Sequence, residues 1–395
     1  MLFIEAIIPK SYNPVSSRLA NFLIQLFLST FALLYILMNE GMMSKQEVIL
    51  CTKLETSLAR AIEKCQHDKL FILTDEHTSR LCMPVLRQTN YLKEAVEITI
   101  GAGDVHKTLE SLAAVWQVLS SQGATRHSLL INIGGGMVTD LGGFAAATFK
   151  RGITYINIPT TLLAMVDASV GGKTGINFNG LKNEVGVFAP AASVLIETEF
   201  LRSLNAENFI SGYAEMLKHG LISNTEHWAE LLNFNTQAID YDHLKQLVGQ
   251  SVQIKEEIVM QDPFEHGIRK ALNLGHTAGH AIESLALAEN RPLLHGYAVA
   301  WGIVCELYLS HIKVGFPKDK MRQTIQFIQE NYGVFAFDCK QYDQLYALMQ
   351  HDKKNTAGAI NFTLLEDIGV IRINQTADKE TIFEMFDFYR ECMGV

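Results

Sequence analysis

The chain has 395 residues, 48% hydrophobic and 19% charged, which excludes disordered and fibrous classes and is long enough for two buried cores. Its formal net charge of −9 argues against a nucleic-acid binder, which would carry a basic stripe. The six cysteines (Cys51, Cys65, Cys82, Cys305, Cys339, Cys392) contain no C-x-x-C pair, so no disulfide framework is expected and the thiols fit a reducing cytoplasm.

Residues 22–38, FLIQLFLSTFALLYILM, form an apolar run of marginal spanning length preceded by Lys10 and Arg18. The run reads either as a signal anchor or as the product of a start codon upstream of the true one at Met42 or Met43, and residues 1–42 are set apart as an extension. From Lys45 onward short apolar strands alternate with amphipathic helices. Strands are expected at 69–75 and 97–100, the second leading through Gly101-Ala102-Gly103-Asp104 into a helix from about 106 to 119. A third, 128–133, runs into Gly134-Gly135-Gly136, and a fourth spans 154–159. Continuous apolar strands separated by helices predict a parallel sheet covered on both faces. Beyond about Leu204 helical periodicities take over, and 359–365 is the single late β-like stretch. The expected architecture is α/β plus α: a Rossmann-like parallel-sheet domain over 43–205, a mostly helical domain over 206–395, and an active site in the cleft between them.

The segment Gly134-Gly135-Gly136-Met137-Val138-Thr139-Asp140 joins a strand to a helix. Glycines there let the backbone approach a pyrophosphate, and the helix start offers unpaired amides to it. A tight turn is the alternative, although three successive glycines exceed what a turn requires. Asp75, at a strand end, is placed to accept ribose hydroxyls, which would favour NAD over its 2′-phosphorylated form. Asp104 and Lys107 flank a Gly-x-Gly turn and read either as further cofactor contacts or as a helix cap and a solvated lysine.

The next candidates are cations among glycines. Lys173 lies in Gly171-Gly172-Lys173-Thr174-Gly175, a spacing suited to a bound phosphate or carboxylate. Gly180-Leu181-Lys182-Asn183 repeats the idea, with a plain β-turn as competitor. Lys218 follows Glu215 by three residues and shares its helical face, so a metal and a cation would address one ligand. Lys255, Glu265, Arg269 and Asn273 lead towards His276, and Arg269, Asn273 and the histidines are spaced as one helical face. Glu215, His276 and His295 come from three segments, and imidazoles with one carboxylate are the usual ligands of a catalytic zinc. His276 and His280 could also ligate together, but no glutamate stands between them as in H-E-x-x-H.

The words GGGMVTDLGGF, IPTTLLAMVDASVGGKTGIN, LKNEVG, GYAEMLKHG, LNLGHTAGHAIE and LLHGYAVAWG together resemble the 3-dehydroquinate synthase family. The resemblance runs from about residue 45 to the C-terminus and is densest over 134–302. It implies a lyase of the shikimate pathway to chorismate and the aromatic amino acids, dependent on NAD and on Zn2+ or Co2+. Such an enzyme converts 3-deoxy-D-arabino-heptulosonate 7-phosphate (DAHP) into 3-dehydroquinate and phosphate by oxidation, phosphate elimination, reduction and intramolecular aldol closure. The family is usually a cytoplasmic homodimer without nucleic-acid partners.

By motif, the resemblance implies Glu215, His276 and His295 as metal ligands. It places the substrate phosphate at Lys173, Asn183 and His280, with Lys353 or Lys354, and with Arg151 lent by a neighbouring subunit. Lys255, Arg269 and Asn273 would orient the carboxylate and ring hydroxyls, with Lys218 and Glu265 near the reacting carbons. Asp167 and Lys182 would border the nicotinamide. Asp75, Asp104, Lys107 and Asp140, with Gly135, Gly136, Thr160 and Thr161, would complete the dinucleotide site. The chain departs from the family pattern at His77, where asparagine is usual, and at Asp104 and Tyr297, where glutamate is common. Rival readings are a related sugar-phosphate cyclase, a metal-dependent alcohol or glycerol dehydrogenase, which would leave the Lys173, Lys182, Lys255 and Arg269 set unexplained, and a membrane-tethered binding protein.

Overall fold

A computed structural model describes residues 46–87, 89–350 and 359–395, which fall within one compact unit, Gln46–Val395. The apolar run at 22–38 lies outside the described residues. No helix among the described residues is long and apolar enough to cross a membrane. None of the six cysteines is in a disulfide.

The first half of the unit contains β1 (Glu47–Leu50), β2 (Leu70–Asp75), β3 (Val96–Ile100), β4 (Leu129–Gly134) and β5 (Thr154–Pro159). An antiparallel hairpin, β6 (Lys173–Phe178) and β7 (Leu181–Phe188), then precedes β8 (Ser193–Ile196). All but the hairpin join one parallel sheet in the order β1-β8-β5-β4-β2-β3. Every residue of β4 is buried, as expected for a strand covered on both faces. The chain runs outward from β2 to β3, returns to β4 on the other side of β2, and continues to β5. The direction therefore reverses between β2 and β4, and ligands of such sheets bind in the crevice at the carboxyl ends of those two strands. Asp75 and Gly134 are the last residues of these strands, and α1 (Gly136–Thr148) starts directly above.

The four expected strands appear within a residue or so of their predicted limits. The helix expected at 106–119 is instead Leu109–Ser121, entered through a short 3₁₀ turn, Asp104–His106, and capped by the Thr108 hydroxyl. The β6–β7 hairpin was not anticipated, although its signal is in the sequence. Phe178 pairs with Leu181, leaving Asn179 (φ 49°) and Gly180 (φ 78°) as a two-residue loop, the Asn-Gly pair that left-handed hairpin turns prefer.

The second half is carried by α2 (Ala206–Ser223), α3 (Tyr241–Gln261), α4 (His276–Ala288) and α5 (His295–Val314). Two expectations are corrected here. Arg269, Asn273 and the histidines do not lie on one helix: Ile268–Asn273 is a 3₁₀ turn, Gly275 is left-handed (φ 77°), and α4 begins at His276. A side chain at Gly275 would meet the Val299 carbonyl at 2.9 Å, so the break is also where α4 and α5 touch backbone to backbone. The late β-like stretch is not single either, since β9 (Asn361–Asp367) pairs with β10 (Val370–Thr376). Arg372 and Asn374 on β10 hide its strand pattern, because that strand is nowhere fully buried.

The contact of α4 with α5 is unusually close. A Cβ on Gly302 would lie 1.9 Å from the Gly275 carbonyl oxygen and 2.7 Å from the Gly279 nitrogen. Both neighbours are backbone and cannot rotate away. Gly302→Ala is expected to lower unfolding free energy by about 2–3 kcal/mol, read as a lower midpoint in chemical denaturation. An unchanged midpoint would mean that the two helices separate freely.

Candidate active site

A cavity of about 880 Å³ opens at the carboxyl ends of β2 and β4 and reaches His295 at the start of α5. All ten residues expected to bind the dinucleotide line it. At one end, α1 begins at a glycine cap with no side-chain hydrogen bond, so its first amides face the cavity unclaimed by a capping side chain. Asp75 accepts hydrogen bonds from the Thr78 amide (2.8 Å) and hydroxyl (3.1 Å) through Oδ1. That fixes its orientation at the strand end.

Lys107 is a buried cation rather than a solvated one. Its ammonium lies 2.5 Å from Asp140 Oδ2 and also donates to Asn183 Oδ1. Burial raises the Asp140 pKa, opposed by the Lys107 charge. Because Asn183 sits on β7, this network ties the hairpin to the start of α1, beyond the carboxyl end of β4. Lys182, its neighbour, reaches Glu283 on α4 (2.7 Å) and Asp104 (3.4 Å).

At the other end, α2 places Glu215 in full burial with Lys218 one turn away and in contact with Glu215 Oε2. The second oxygen, Oε1, accepts no hydrogen bond from the described residues, and it lies 3.5 Å from both His276 Nε2 and His295 Nε2. Bonds of about 2.0–2.1 Å in a tetrahedral array hold neighbouring ligand atoms about 3.3–3.4 Å apart, close to these separations. His276 Nδ1 faces the Leu274 carbonyl (3.1 Å) and His295 Nδ1 faces Glu283 Oε2 (3.4 Å), which orients both Nε2 atoms towards Glu215. An orphaned carboxylate oxygen facing two imidazole nitrogens fits a divalent ion. The His280 ring lies 5.4 Å and 5.8 Å from those of His276 and His295, so three imidazoles converge.

The electrostatics agree with a cation site. Burial opposes ionisation of Glu215, yet Lys218, His276 and His295 outweigh it and hold the carboxyl well below its usual range. Burial would lower the His295 pKa, but Glu215 and Glu283 lift it to about 10, so its surroundings strongly favour positive charge.

Between the two ends lie further cations expected to meet the substrate. Lys173 pairs with Glu265 (2.5 Å), and Asn273 donates to the other Glu265 oxygen (2.7 Å). Lys255 meets Asp167 Oδ1 at 2.7 Å, and Lys218 approaches the same oxygen at 3.8 Å. Burial lowers the pKa of Lys255, offset in part by Asp167. Arg269 is 2% exposed; it donates to the Pro263 and Gly171 carbonyls and keeps a buried Nε without a hydrogen-bond partner among the described residues. Glu265 (φ 63°) and Asn183 (φ 50°) hold left-handed backbone, a strain typical of functional positions.

Three expected residues stand apart. Arg151 ends a 3₁₀ turn, is exposed and does not line the cavity. Lys353 and Lys354 lie outside the described residues. Three carboxylates that support the site escaped the sequence reading. Asp262 accepts the amides of His266, Gly267 and Arg269 and shapes the loop holding Glu265. Glu283 backs His295, and Glu306 receives the start of α4. Glu283, three residues after His280, was the one the helical spacing could have revealed.

The chain is similar to known proteins over most of its length. The family profile described as 3-dehydroquinate synthase N-terminal matches residues 97–211, and the one described as 3-dehydroquinate synthase C-terminal matches 212–355. The chain is 56% identical over 353 residues to a 3-dehydroquinate synthase of Parabacteroides distasonis, covering 89% of this chain and all of that one. It is 39% identical to a 3-dehydroquinate synthase of Oceanobacillus iheyensis over 80% of this chain and 87% of that one. A solved 2-epi-5-epi-valiolone synthase from Streptomyces hygroscopicus, with NAD+ and Zn2+ bound, has the same fold at a TM-score of 0.77 and 24% identity, covering 88% of this chain and 97% of that one. Two adjoining family profiles and curated relatives matched over most of their length place this chain in the 3-dehydroquinate synthase family.

Proposed function

We propose that the chain is a cyclising lyase that converts DAHP into 3-dehydroquinate and phosphate, using NAD and a divalent metal, zinc or cobalt, in the shikimate pathway. The observation that carries this reading is a crevice at the strand ends lined by Lys107, Lys173, Lys182, Lys255 and His295, with a buried Glu215 oxygen facing the imidazoles of His295 and His276 behind it. A simple dehydrogenase has no use for that many cations. A substrate bearing both a phosphate and a carboxylate does.

Glu215, His276 and His295 would hold the metal. The metal supplies Lewis acidity towards the substrate hydroxyls, and the dinucleotide supplies a reversible two-electron oxidation. Asp167 and Lys182 would border the nicotinamide, and the amides at the start of α1 would receive the pyrophosphate. Lys173, Asn183 and His280, with Lys353 and a partner subunit's Arg151 in a homodimer, take the substrate phosphate. The substrate phosphate can itself accept the proton released in elimination, because fixed cations hold it beside the reacting carbons. Arg269, Asn273 and Lys255 fix the carboxylate and hydroxyls, so that the chain orients the ring for closure. The two redox steps cancel, and the reaction is net elimination and cyclisation. Residues 43–205 form the dinucleotide domain, 206–395 the metal and substrate domain, and the enzyme works in the cytoplasm.

The test is purified residues 42–395 with DAHP, catalytic NAD and zinc, following phosphate and NADH together. Stoichiometric phosphate without NADH accumulation is expected, from a chain that keeps its fold without the first 41 residues. No phosphate from DAHP, or NADH accumulation with simple polyols, would overturn the reading.

A further inference from the structure

The metal-ligand candidates lie on three different helices, and one of those helices reaches the other two. His295 is the first residue of α5. The next residue, Gly296, donates its amide to Ser211 Oγ (3.1 Å), and Ser211 lies one turn before Glu215 on α2. A Cβ on Gly296 would sit 1.8 Å from the Ser211 carbonyl oxygen, so α5 and α2 are in backbone contact there.

Three turns further along α5, Glu306 is fully buried. Its Oε2 accepts the Gly275 amide at 2.7 Å, and its Oε1 accepts the Thr277 and Ala278 amides at 3.0 and 3.1 Å. These amides bracket His276, the first residue of α4. The residue before the helix is glycine and has no side chain to cap it. A helix start leaves several amides without intrahelical partners, and an anionic acceptor there gains from both hydrogen bonding and the helix dipole. The carboxylate is therefore a cap supplied from a neighbouring helix rather than from the chain just before α4.

We infer that Glu306 is a positioning residue for the metal centre: by holding the first turn of α4 against α5, it fixes His276 relative to His295 and Glu215. The inference rests on the proposed metal site. A local cap would fix the helix start only to its own chain. Glu306 fixes it to the helix that begins with His295 and is itself bonded to α2 beside Glu215. The Thr277 hydroxyl, donating to the Asn361 carbonyl at 3.0 Å, ties the same turn to β9.

Glu306→Gln keeps the size of the side chain, but it turns an NH₂ group towards amides that need an acceptor. Zinc affinity, measured in competition with a chromophoric chelator, is expected to fall 10–100-fold, the range seen when groups behind a metal ligand are altered. NAD affinity should stay within twofold, because Glu306 does not line the dinucleotide cavity. Turnover should recover as zinc is raised, which a general loss of stability would not produce. Zinc affinity within threefold of the parent, or an equal fall in zinc and NAD affinity, would overturn the inference. Should Glu306→Gln not fold, Glu306→Asp takes its place with the same outcomes, since it keeps the charge but falls one methylene short of the amides. A parent chain that bound no zinc would instead overturn the metal-site reading itself, so the two failures are distinguishable.

Discussion

Replacing His276 with alanine is expected to abolish metal retention and lower phosphate release by about 10³-fold or more. The ring places Nε2 3.5 Å from the orphaned Glu215 oxygen, and its Nδ1 is oriented by the Leu274 carbonyl, so the nitrogen facing Glu215 is fixed rather than free to turn away. Without it, Glu215 faces His295 and Lys218 only, and two protein ligands hold a divalent ion far more weakly than three. Metal polarisation contributes several kcal/mol to a transition state, and about 4 kcal/mol corresponds to roughly 10³ in rate. Metal content after dialysis and phosphate release from DAHP are the two readouts. A variant that kept stoichiometric metal and turnover within tenfold of the parent would remove His276 from the site.

Arg269→Ala should act on the substrate and leave the dinucleotide alone. The guanidinium is almost wholly buried, 5.7 Å from the Phe188 ring, and is held by the Gly171 and Pro263 carbonyls with Nε left without a partner. Charge-assisted hydrogen bonds to a bound carboxylate contribute about 1.5–3 kcal/mol, and leaving such a carboxylate unpaired adds to the loss. KM for DAHP is therefore expected to rise about 10²-fold, with NAD affinity within about threefold of the parent. Arg269→Lys should rescue little, because an ammonium cannot span the two carbonyls and a carboxylate at once. If DAHP and NAD affinities fell together in titrations, the guanidinium would be acting on the fold and not on the substrate.

Much of the chemistry was legible because it is local. The strands at 69–75, 128–133 and 154–159 are continuous apolar runs, and the glycines after β4 stand where a strand must turn into a helix. The Glu215 to Lys218 spacing is a property of one helical turn, and the two side chains do share a face, where they pair with each other. Where one helix was read across Arg269 to His280, the periodicity was real but the backbone was not continuous. A left-handed Gly275 costs little in sequence terms, and its necessity appears only once the Val299 carbonyl presses against it.

The sequence by itself determined which side chains are available for chemistry and which short segments are strand or helix, since both depend on neighbours within a turn or a strand. The tertiary structure decided which of them meet. Glu215, His276 and His295 converge because glycines at 275, 279, 296 and 302 let α4, α5 and α2 approach at backbone distance. Lys107 became a buried ion-pair partner only because Asp140 and the β6–β7 hairpin closed over it. Glu306 has no motif around it, and its carboxylate acquires this role from the Gly275, Thr277 and Ala278 amides at the start of a helix distant in the chain. Contacts of that kind are selected by the packing of whole elements, and no pattern within a single turn or strand carries them.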